Sequence, residues 1–194
     1  TGTPPNIENL YGLLHESLQR TGAELLDEIK AAKLRGRGGA GFPTAFKWES
    51  AGNAPGEKKY IVCNADEGDP GAYIDRYLME EQPHLVLFGM IIAGYIAGAN
   101  EGILYIRAEY PESIVSVKEA IEQTADQGYS GDTVCGSNFS FHFKVVVGAG
   151  AYICGEETAL LRSLEGQRPE VSVRPPYPTT EGLFGKPTIV NNVE

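Results

Sequence analysis

The sequence predicts an α/β fold in which a mostly parallel sheet is flanked by helices and preceded by further helices at the N terminus. Three short apolar runs, at 59–64, 102–107 and 142–147, have the length and composition of buried strands. Helical segments separate these runs, and an alternation of strand and helix is typical of parallel sheets. Ligands of such sheets bind beyond the carboxyl ends of the strands, so the segments that follow the strands are candidate sites.

Composition limits the class of protein. The 194 residues suit one domain, and 42% hydrophobic and 22% charged residues are ordinary for a soluble protein with a core. A net charge of −10 argues against nucleic acid, which needs a basic surface. Residues 1–10 do not resemble a signal peptide, and the apolar stretch at 85–98 is too short to span a membrane. Cys63, Cys135 and Cys154 lack disulfide or metal spacing, which predicts no metal site and favours a reducing cytoplasm.

Two helices are predicted before the sheet. The first covers 6–20, and the second begins at Thr21, which has the spacing of a capping box with Glu24. Both belong to a predicted N-terminal helical segment, 1–34. The remaining residues, 35–194, are predicted to form the α/β domain.

A glycine-rich segment with three cations, residues 35–47, follows these helices. Gly36, Gly38 and Gly41 satisfy the G-x-G-x-x-G pattern of dinucleotide-binding loops. That pattern requires a preceding strand, whereas a helix is predicted here, so the Rossmann interpretation of this loop is rejected. Glycine allows close backbone approach, and Arg37 and Lys47 supply positive charge in an acidic chain, which favours an anionic ligand such as a cofactor phosphate. The alternative is a flexible linker between helices.

The later helices are predicted from apolar periodicity and from proline and glycine positions. A short helix is expected over 44–49, and a long one over 81–99 with Pro83 in its first turn. The segment 111–127 is amphipathic, and the segment 156–166 ends at a glycine, a common helix terminator. The Pro-rich stretch that follows is expected to cross the surface as an extended loop.

An acidic turn follows the first predicted strand. It contains Asn64, Asp66, Glu67 and Asp69 among glycines and a proline. Carboxylates would repel a phosphate, but they accept hydrogen bonds from ribose or ribityl hydroxyls, and an asparagine suits the mixed donor–acceptor edge of a flavin. A solvated acidic turn and a loop that binds a divalent cation are the alternatives.

A glycine-rich turn follows the third predicted strand. Its notable residues are Gly148, Gly150, Tyr152, Gly155, Glu156 and Glu157. Both glutamates fall in the first turn of a predicted helix, where the helix dipole stabilises acids, and this capping role is the simple explanation for them. The helix cap leaves the cluster of glycines around one tyrosine unexplained.

Two amides, Asn191 and Asn192, follow the last apolar run. They suit a ligand that is rich in donors and acceptors, although ordinary turn chemistry also explains them. Histidine is absent from these turns, because His15, His84 and His142 fall in predicted helices or at a strand start. This scarcity favours chemistry carried by a cofactor over a general-base hydrolase.

Four of these segments together, at 34–47, 62–71, 148–164 and 187–194, resemble the flavin-bearing, NADH-oxidising subunit of respiratory complex I. Its relatives include the diaphorase flavoprotein subunit of NAD-reducing nickel–iron hydrogenases and the beta subunit of NAD-dependent formate dehydrogenases. The resemblance runs from about residue 21 to the last residue. It implies a Rossmann-like FMN-binding domain with NAD(H) stacked on the flavin.

The resemblance also implies roles for individual residues, by motif position. Those implied at FMN are Gly36, Arg37, Gly38, Lys47, Asn64, Asp66, Glu67, Tyr152, Gly155, Glu156, Asn191 and Asn192. Those implied at NAD are Phe42, Asp69, Glu157 and Tyr177. Glu156 is the one expected to influence the chemistry, by tuning the local electric field.

Departures from the family pattern occur at three positions. Complex I members often carry Glu in place of Asp69, an aromatic residue in place of Ser50 and Phe in place of Tyr177. The loss of an aromatic ring at Ser50 puts the adenine slot in doubt. The ubiquitin-like domain of the family and the helical domain that ligates a four-iron cluster have no counterpart in these 194 residues.

The resemblance implies an FMN-dependent NAD(H) oxidoreductase. Hydride would pass between nicotinamide C4 and flavin N5, and electrons would then pass singly to an iron–sulfur partner subunit. NAD is expected over NADP because acidic residues at the ribose site would repel a 2′-phosphate. The alternatives are a non-catalytic, cofactor-free interaction domain of the same fold and an enzyme that binds a phosphosugar.

Overall fold

A computed structural model describes residues 6–148 and 151–194, which form a parallel sheet with helices on both faces. The helices are α1 (Ile7–Ser17), α2 (Gly22–Ala31), α3 (Thr44–Asn53), α4 (Ile74–Glu81), α5 (Pro83–Ala97), α6 (Pro111–Asp126) and α7 (Glu157–Leu164). The strands are β1 (Tyr60–Ala65), β2 (Glu101–Arg107), β3 (His142–Gly148) and β4 (Thr188–Asn192). The start of the predicted N-terminal segment, residues 1–5, and Gly150 of the predicted glycine-rich turn lie outside the described residues.

The strands of the described residues are ordered β3-β2-β1-β4, and every neighbouring pair is parallel. The prediction of an α/β fold with a parallel sheet is therefore confirmed. The predicted set of strands was incomplete, because β4 is missing from it. Its sequence offers only a short apolar run before two asparagines, and its strand conformation depends on pairing with β1.

Alternate side chains of the strands enter two separate cores. Ile61 of β1 and Leu104 of β2 pack in the larger core with α5 and α6. Val62 and Ile103 point to the opposite face and pack with α7. Helices α1 and α2 pack on α5 and contribute to the larger core. The domain boundary predicted at residue 34 stays a prediction. Helix α3 also packs in the larger core, so α3 and α7 lie on opposite faces of the sheet.

The helix boundaries correct the sequence prediction in the middle of the chain. The helix predicted over 81–99 is present as α5 with Pro83 in its first turn, but it covers Pro83–Ala97. It is preceded by α4, which was not predicted, and the two helices meet around Gln82, which has φ −137° and ψ 44°. Gln82 precedes Pro83, and the residue before a proline is disfavoured in helical conformation. Pro83 then opens α5, where its missing N–H is harmless. The predicted capping box of Thr21 is present at the start of α2.

Candidate functional site

Two neighbouring strands, β1 and the outer strand β4, bring amide side chains together at their carboxyl ends. Asn64 of β1 lies opposite Asn192 of β4. The side-chain nitrogen of Asn64 donates to the backbone oxygen of Gly155, 2.9 Å away, and links β1 to the turn before α7. The side-chain oxygen of Asn191 is buried and has no hydrogen-bond partner among the described residues. A buried acceptor without a donor costs free energy, so this atom marks a place where a ligand donor would be stabilising.

A cavity of about 660 Å³ opens at these strand ends, and we call it the main cavity. Its wall is formed by the glycine-rich loop, α3, the start of α7, the Pro-rich segment and β4. This volume lies within the range of small-molecule and cofactor sites. The sequence-predicted residues that line it are Gly36, Gly38, Phe42, Lys47, Asn64, Gly155, Glu156, Glu157, Tyr177, Asn191 and Asn192. The fold therefore brings most of the predicted site residues to one place.

The glycine-rich loop, residues 35–43, is closed by a backbone hydrogen bond. The N–H of Gly36 donates to the backbone oxygen of Phe42 at 2.8 Å. Gly39 and Gly41 have φ values of +92° and +59°, in the left-handed region that favours glycine. A helix, α2, precedes the loop, which agrees with rejecting the Rossmann interpretation. A backbone hydrogen bond thus joins the two ends of the loop and brings its glycines together.

Lys47 carries a positive charge into the main cavity from the first turn of α3. Its Nζ donates to the backbone oxygen of Val190 in β4 at 2.7 Å. Burial lowers the pKa of the Lys47 ammonium group, and the nearby carboxylate of Glu157 acts in the opposite direction. A partly buried cation in the wall of a cavity suits a ligand phosphate.

Glu156 caps α7 and holds an arginine at the same time. One carboxylate oxygen, Oε2, accepts from the N–H groups of Thr158 and Ala159 at 2.8 and 3.0 Å. The other, Oε1, is paired with Nη2 of Arg174, whose Nη1 lies 2.8 Å from Oε1 of Glu157. Burial opposes ionisation of Glu156, but these hydrogen bonds and the arginine outweigh it and lower the pKa of its carboxyl. Both carboxylate oxygens are engaged, so the geometry gives Glu156 a positioning role.

Sequence reasoning missed Arg174. The Pro-rich segment, residues 174–178, is predicted as a surface loop, and residues 174–177 are exposed in the structure. The segment also forms part of the wall of the main cavity, together with Thr179. An arginine before two prolines matches no ligand motif, and its pairing with α7 depends on tertiary structure. Phe46 of α3 also lines the main cavity without having been predicted to do so.

The remaining predicted residues lie outside the wall of the main cavity. They are Arg37, Asp66, Glu67, Asp69 and Tyr152. Nη2 of Arg37 lies 3.0 Å from Oε1 of Glu194 in an exposed ion pair. Asp66 is buried directly after β1, and its Oδ2 has no hydrogen-bond partner among the described residues. Burial raises the pKa of Asp66, which the positive charge of Arg107 partly offsets. Asp66 therefore presents a second buried acceptor at the same edge of the sheet.

Glu67 supports α4 in the structure. Its two carboxylate oxygens accept from the N–H groups of Asp75 and Arg76, at 3.2 and 3.3 Å, in the first turn of α4. The hydroxyl of Tyr110 also donates to Glu67, at 3.2 Å. Within the described chain the N-cap residue of α4 makes no side-chain hydrogen bond to the helix, so Glu67 supplies the missing acceptors from the acidic turn. Its predicted contact with FMN stays a prediction.

Tyr152 and Asp69 contact each other across the carboxyl edge of the sheet. The hydroxyl of Tyr152 donates to Oδ1 of Asp69 at 2.9 Å. The Tyr152 ring lies close over Gly68, where a Cβ atom would be 2.9 Å from the ring. A small cavity of about 60 Å³ lies beneath, lined by Asp66, Gly68, Arg107, Ala151 and Tyr152. The acidic turn and the glycine-rich turn are therefore joined at this point by a tyrosine.

The titration of Asp75, in the first turn of α4, predicts how the stability of the protein changes with pH. Burial raises the pKa of Asp75 to about 7, and the carboxylates of Glu67 and Glu194 add to the effect. In the unfolded chain an aspartate titrates near 4, so the stability contributed by protonated Asp75 is full below about pH 4 and is lost as the pH rises through 7. We expect Asp75→Asn to gain about 1–3 kcal/mol on the native chain between pH 4.5 and pH 8. Urea unfolding at both values measures this difference, and a difference that is independent of pH would refute the assignment.

The structure also bears on metals and membranes. No group of three or more His, Cys, Asp or Glu side chains is arranged to hold a metal ion in the part of the chain that is described. Over the same residues, no helix combines the length and apolar character needed to cross a membrane. Cys63, Cys135 and Cys154 are free thiols, as their spacing predicts.

Comparison with known proteins gives a consistent set of matches. Residues 29–194 match the family model of the Nuo51 FMN-binding domain. An NADH-quinone oxidoreductase subunit of Aquifex aeolicus is 50% identical over 184 residues, which are 95% of this chain and 43% of that protein. The NADP-reducing hydrogenase subunit HndC of Solidesulfovibrio fructosivorans is 50% identical over 196 residues, which are 98% of this chain and 40% of that protein.

A solved structure shares the fold. A chain of an NAD+-reducing NiFe hydrogenase in the air-oxidized state superposes with a TM-score of 0.85 at 40% identity. The match covers 97% of this chain and 31% of that one. The chain spans about two fifths of the length of the curated relatives described above.

Proposed function

We propose, since this chain belongs to the Nuo51 FMN-binding domain family, that its main cavity binds FMN and NAD(H) and holds them for hydride transfer. One observation carries the proposal. The main cavity unites a glycine-rich loop, the Lys47 cation and the strand-end amides, and within it the buried oxygen of Asn191 has no partner among the described residues. A phosphorylated ligand that is rich in hydrogen-bond donors would satisfy each of these features.

The residues present fit FMN. Lys47 offers positive charge for its phosphate, and Gly36 and Gly38 allow close approach of the backbone. A Cβ atom at Gly38 would lie 3.4 Å from the Asn192 side chain, so the loop packs closely against β4. Asn191 provides an acceptor that would gain a partner from the ribityl hydroxyls or the ring edge. Bound FMN supplies the redox chemistry, which no side chain in the cavity could supply.

The side chains of the main cavity would orient FMN and NAD(H) relative to each other and exclude water. Asn64 is held by a hydrogen bond to Gly155, and Glu156 is held by the start of α7, so both side chains have fixed positions from which they would contact a bound flavin. We assign NAD(H) to the outer part of the cavity, beside Phe42, Glu157 and Tyr177. The roles of Arg37, Asp66, Glu67, Asp69 and Tyr152 at the cofactors rest on the family resemblance and remain proposals.

The preference for NAD over NADP is part of the proposal. An acidic residue at the adenosine ribose disfavours a 2′-phosphate, and we propose this role for Glu157, which lines the main cavity and pairs with Arg174. One relative is named as a subunit of an NADP-reducing hydrogenase, so both nucleotides belong in the test. NADH is expected to reduce the bound flavin faster than NADPH.

The expected partners and location follow from the same family. Relatives are subunits named for NADH-quinone oxidoreductase and for hydrogenases, and we propose that this chain passes electrons to an iron–sulfur partner subunit. The three free cysteines suit a reducing compartment such as the cytoplasm.

The experiment is a visible absorption spectrum of the chain after incubation with FMN and desalting, followed by anaerobic addition of NADH or NADPH. We expect a retained flavin band that NADH bleaches. A retained band that neither nucleotide bleaches would overturn the hydride-transfer proposal and leave an FMN site. A colourless protein would favour the cofactor-free interaction domain, and binding of a sugar phosphate by that colourless protein would favour the phosphosugar alternative.

A further inference from the structure

Three aromatic rings surround the mouth of the main cavity and are exposed to solvent. Phe42 is 53% exposed, Phe46 is 63% exposed and Tyr177 is 57% exposed, and all three line the cavity. They come from three different elements, namely the glycine-rich loop, α3 and the Pro-rich segment. Exposed rings gathered at one opening are typical of a binding site for a flat apolar ligand group.

Phe46 is the residue among them that no motif identifies. The helix α3 buries Ala45 and Trp48 in the fold and turns Phe46 toward the main cavity. Ser50 lies one helical turn after Phe46, so both side chains share the cavity face of α3. The hydroxyl of Ser50 donates to that of Thr179 at 3.1 Å. This face of α3 therefore presents the Phe46 ring and, one turn later, the Ser50 hydroxyl. The hydrogen bond from Ser50 to Thr179 links the helix to the segment that follows Tyr177.

We infer that Phe46 forms a wall of the slot for the purine base of the dinucleotide, opposite the rings of the Pro-rich segment and the glycine-rich loop. This inference rests on the proposed function. The buried polar groups that suit FMN lie at the strand ends, whereas Phe46 lies at the exposed mouth, where the outer end of a dinucleotide would be. Stacking of a base on an aromatic ring needs no particular hydrogen bond, so one phenylalanine is sufficient for the contact.

The test compares two reduced nucleotides on the FMN-loaded chain. Phe46→Ala is expected to raise the KM for NADH about 10-fold, because one stacking contact is lost. The kcat/KM for reduced nicotinamide mononucleotide, which has no purine, is expected to stay within about 2-fold, as is the Kd for FMN. Tyr77→Ala is the matched control, since Tyr77 is 53% exposed on α4 and lies outside the main cavity. Phe46→Tyr keeps the ring and should retain the KM of the native chain.

Two results would overturn the inference. An unchanged KM for NADH in Phe46→Ala would mean that no base stacks there, and an equal loss with both nucleotides would place Phe46 at the flavin or nicotinamide. Calorimetry with ADP-ribose measures the base contact without any redox reaction, and Phe46→Ala should weaken it by the same factor. If the native chain holds no flavin but its affinity for ADP-ribose still depends on Phe46, the hydride-transfer proposal fails while the purine slot stands.

Discussion

Lys47→Met is expected to weaken FMN binding by about 30- to 150-fold. The ammonium group is partly buried in the main cavity and reaches the Val190 carbonyl at 2.7 Å, so it occupies a defined position beside the glycine-rich loop. A hydrogen bond to a charged group contributes about 1.5–3 kcal/mol, and the upper part of that range, about 2–3 kcal/mol, corresponds to the expected loss. Methionine has a similar length and no charge, so it fills the space without replacing the contact. Titration by flavin fluorescence measures the Kd.

The control for this experiment is Lys118→Met on the exposed surface of α6, which also removes one positive charge. It should leave the Kd for FMN unchanged, because a distant surface charge is screened by salt. Burial lowers the pKa of Lys47, so in the native chain FMN binding should weaken at alkaline pH before free lysines lose their protons. A Met variant that holds FMN within about 3-fold of the native Kd would remove Lys47 from the phosphate site.

Glu156→Ala is expected to lower the free energy of unfolding by about 2–4 kcal/mol. The substitution removes the acceptor of two backbone N–H groups at the start of α7 and leaves Arg174 with one partner fewer. Loss of a helix cap costs about 0.5–2 kcal/mol, and breaking a partly buried charged contact adds to that. The effect reaches the core, because α7 packs Leu160 and Leu161 against one face of the sheet. Urea denaturation followed by circular dichroism measures the loss.

The neighbouring Glu157→Ala separates capping from ion pairing. Glu157 also pairs with Arg174, at 2.8 Å, whereas the N-cap contacts of α7 are made by Glu156. Its loss should cost less than about 1 kcal/mol, the usual value of a partly exposed ion pair. Equal losses in the two variants would contradict the capping role of Glu156. Glu156→Gln keeps one acceptor oxygen and should lie between the native chain and Glu156→Ala, and its flavin midpoint potential tests the predicted influence of Glu156 on the chemistry.

The sequence was sufficient to predict the sheet and the neighbourhood of the site, for a physical reason. Buried parallel strands appear in a sequence as short apolar runs, and the residues that follow them lie at the carboxyl edge of the sheet. The turns that contain Asn64 and Glu156 were therefore both predicted as candidate sites, and both residues line the main cavity. The glycine-rich loop was predicted as an anion site from its glycines and cations, and Asn191 was noted for its amide, although its strand was not predicted.

Features that depend on pairing between distant segments could not be predicted. The role of Glu67 as the acceptor for α4 required knowledge of a helix that the sequence analysis had not found. The pairing of Arg174 with α7 joins two segments with no shared periodicity. Phe46 and Trp48 are both aromatic residues in α3, and only the packing of that helix decides that Trp48 is buried while Phe46 faces the cavity.

The pairing of β1 with β4 has a consequence for the order of assembly during folding. Tyr60 of β1 pairs with Thr188 of β4, so this contact closes a loop that contains most of the protein. Such distant contacts form slowly, because the entropy of the intervening chain must be lost first. During synthesis the helices and β1 leave the ribosome well before β4. The floor of the main cavity, with Val190 and Asn191, is thus completed late, and a growing chain has no finished place for a cofactor until β4 has docked.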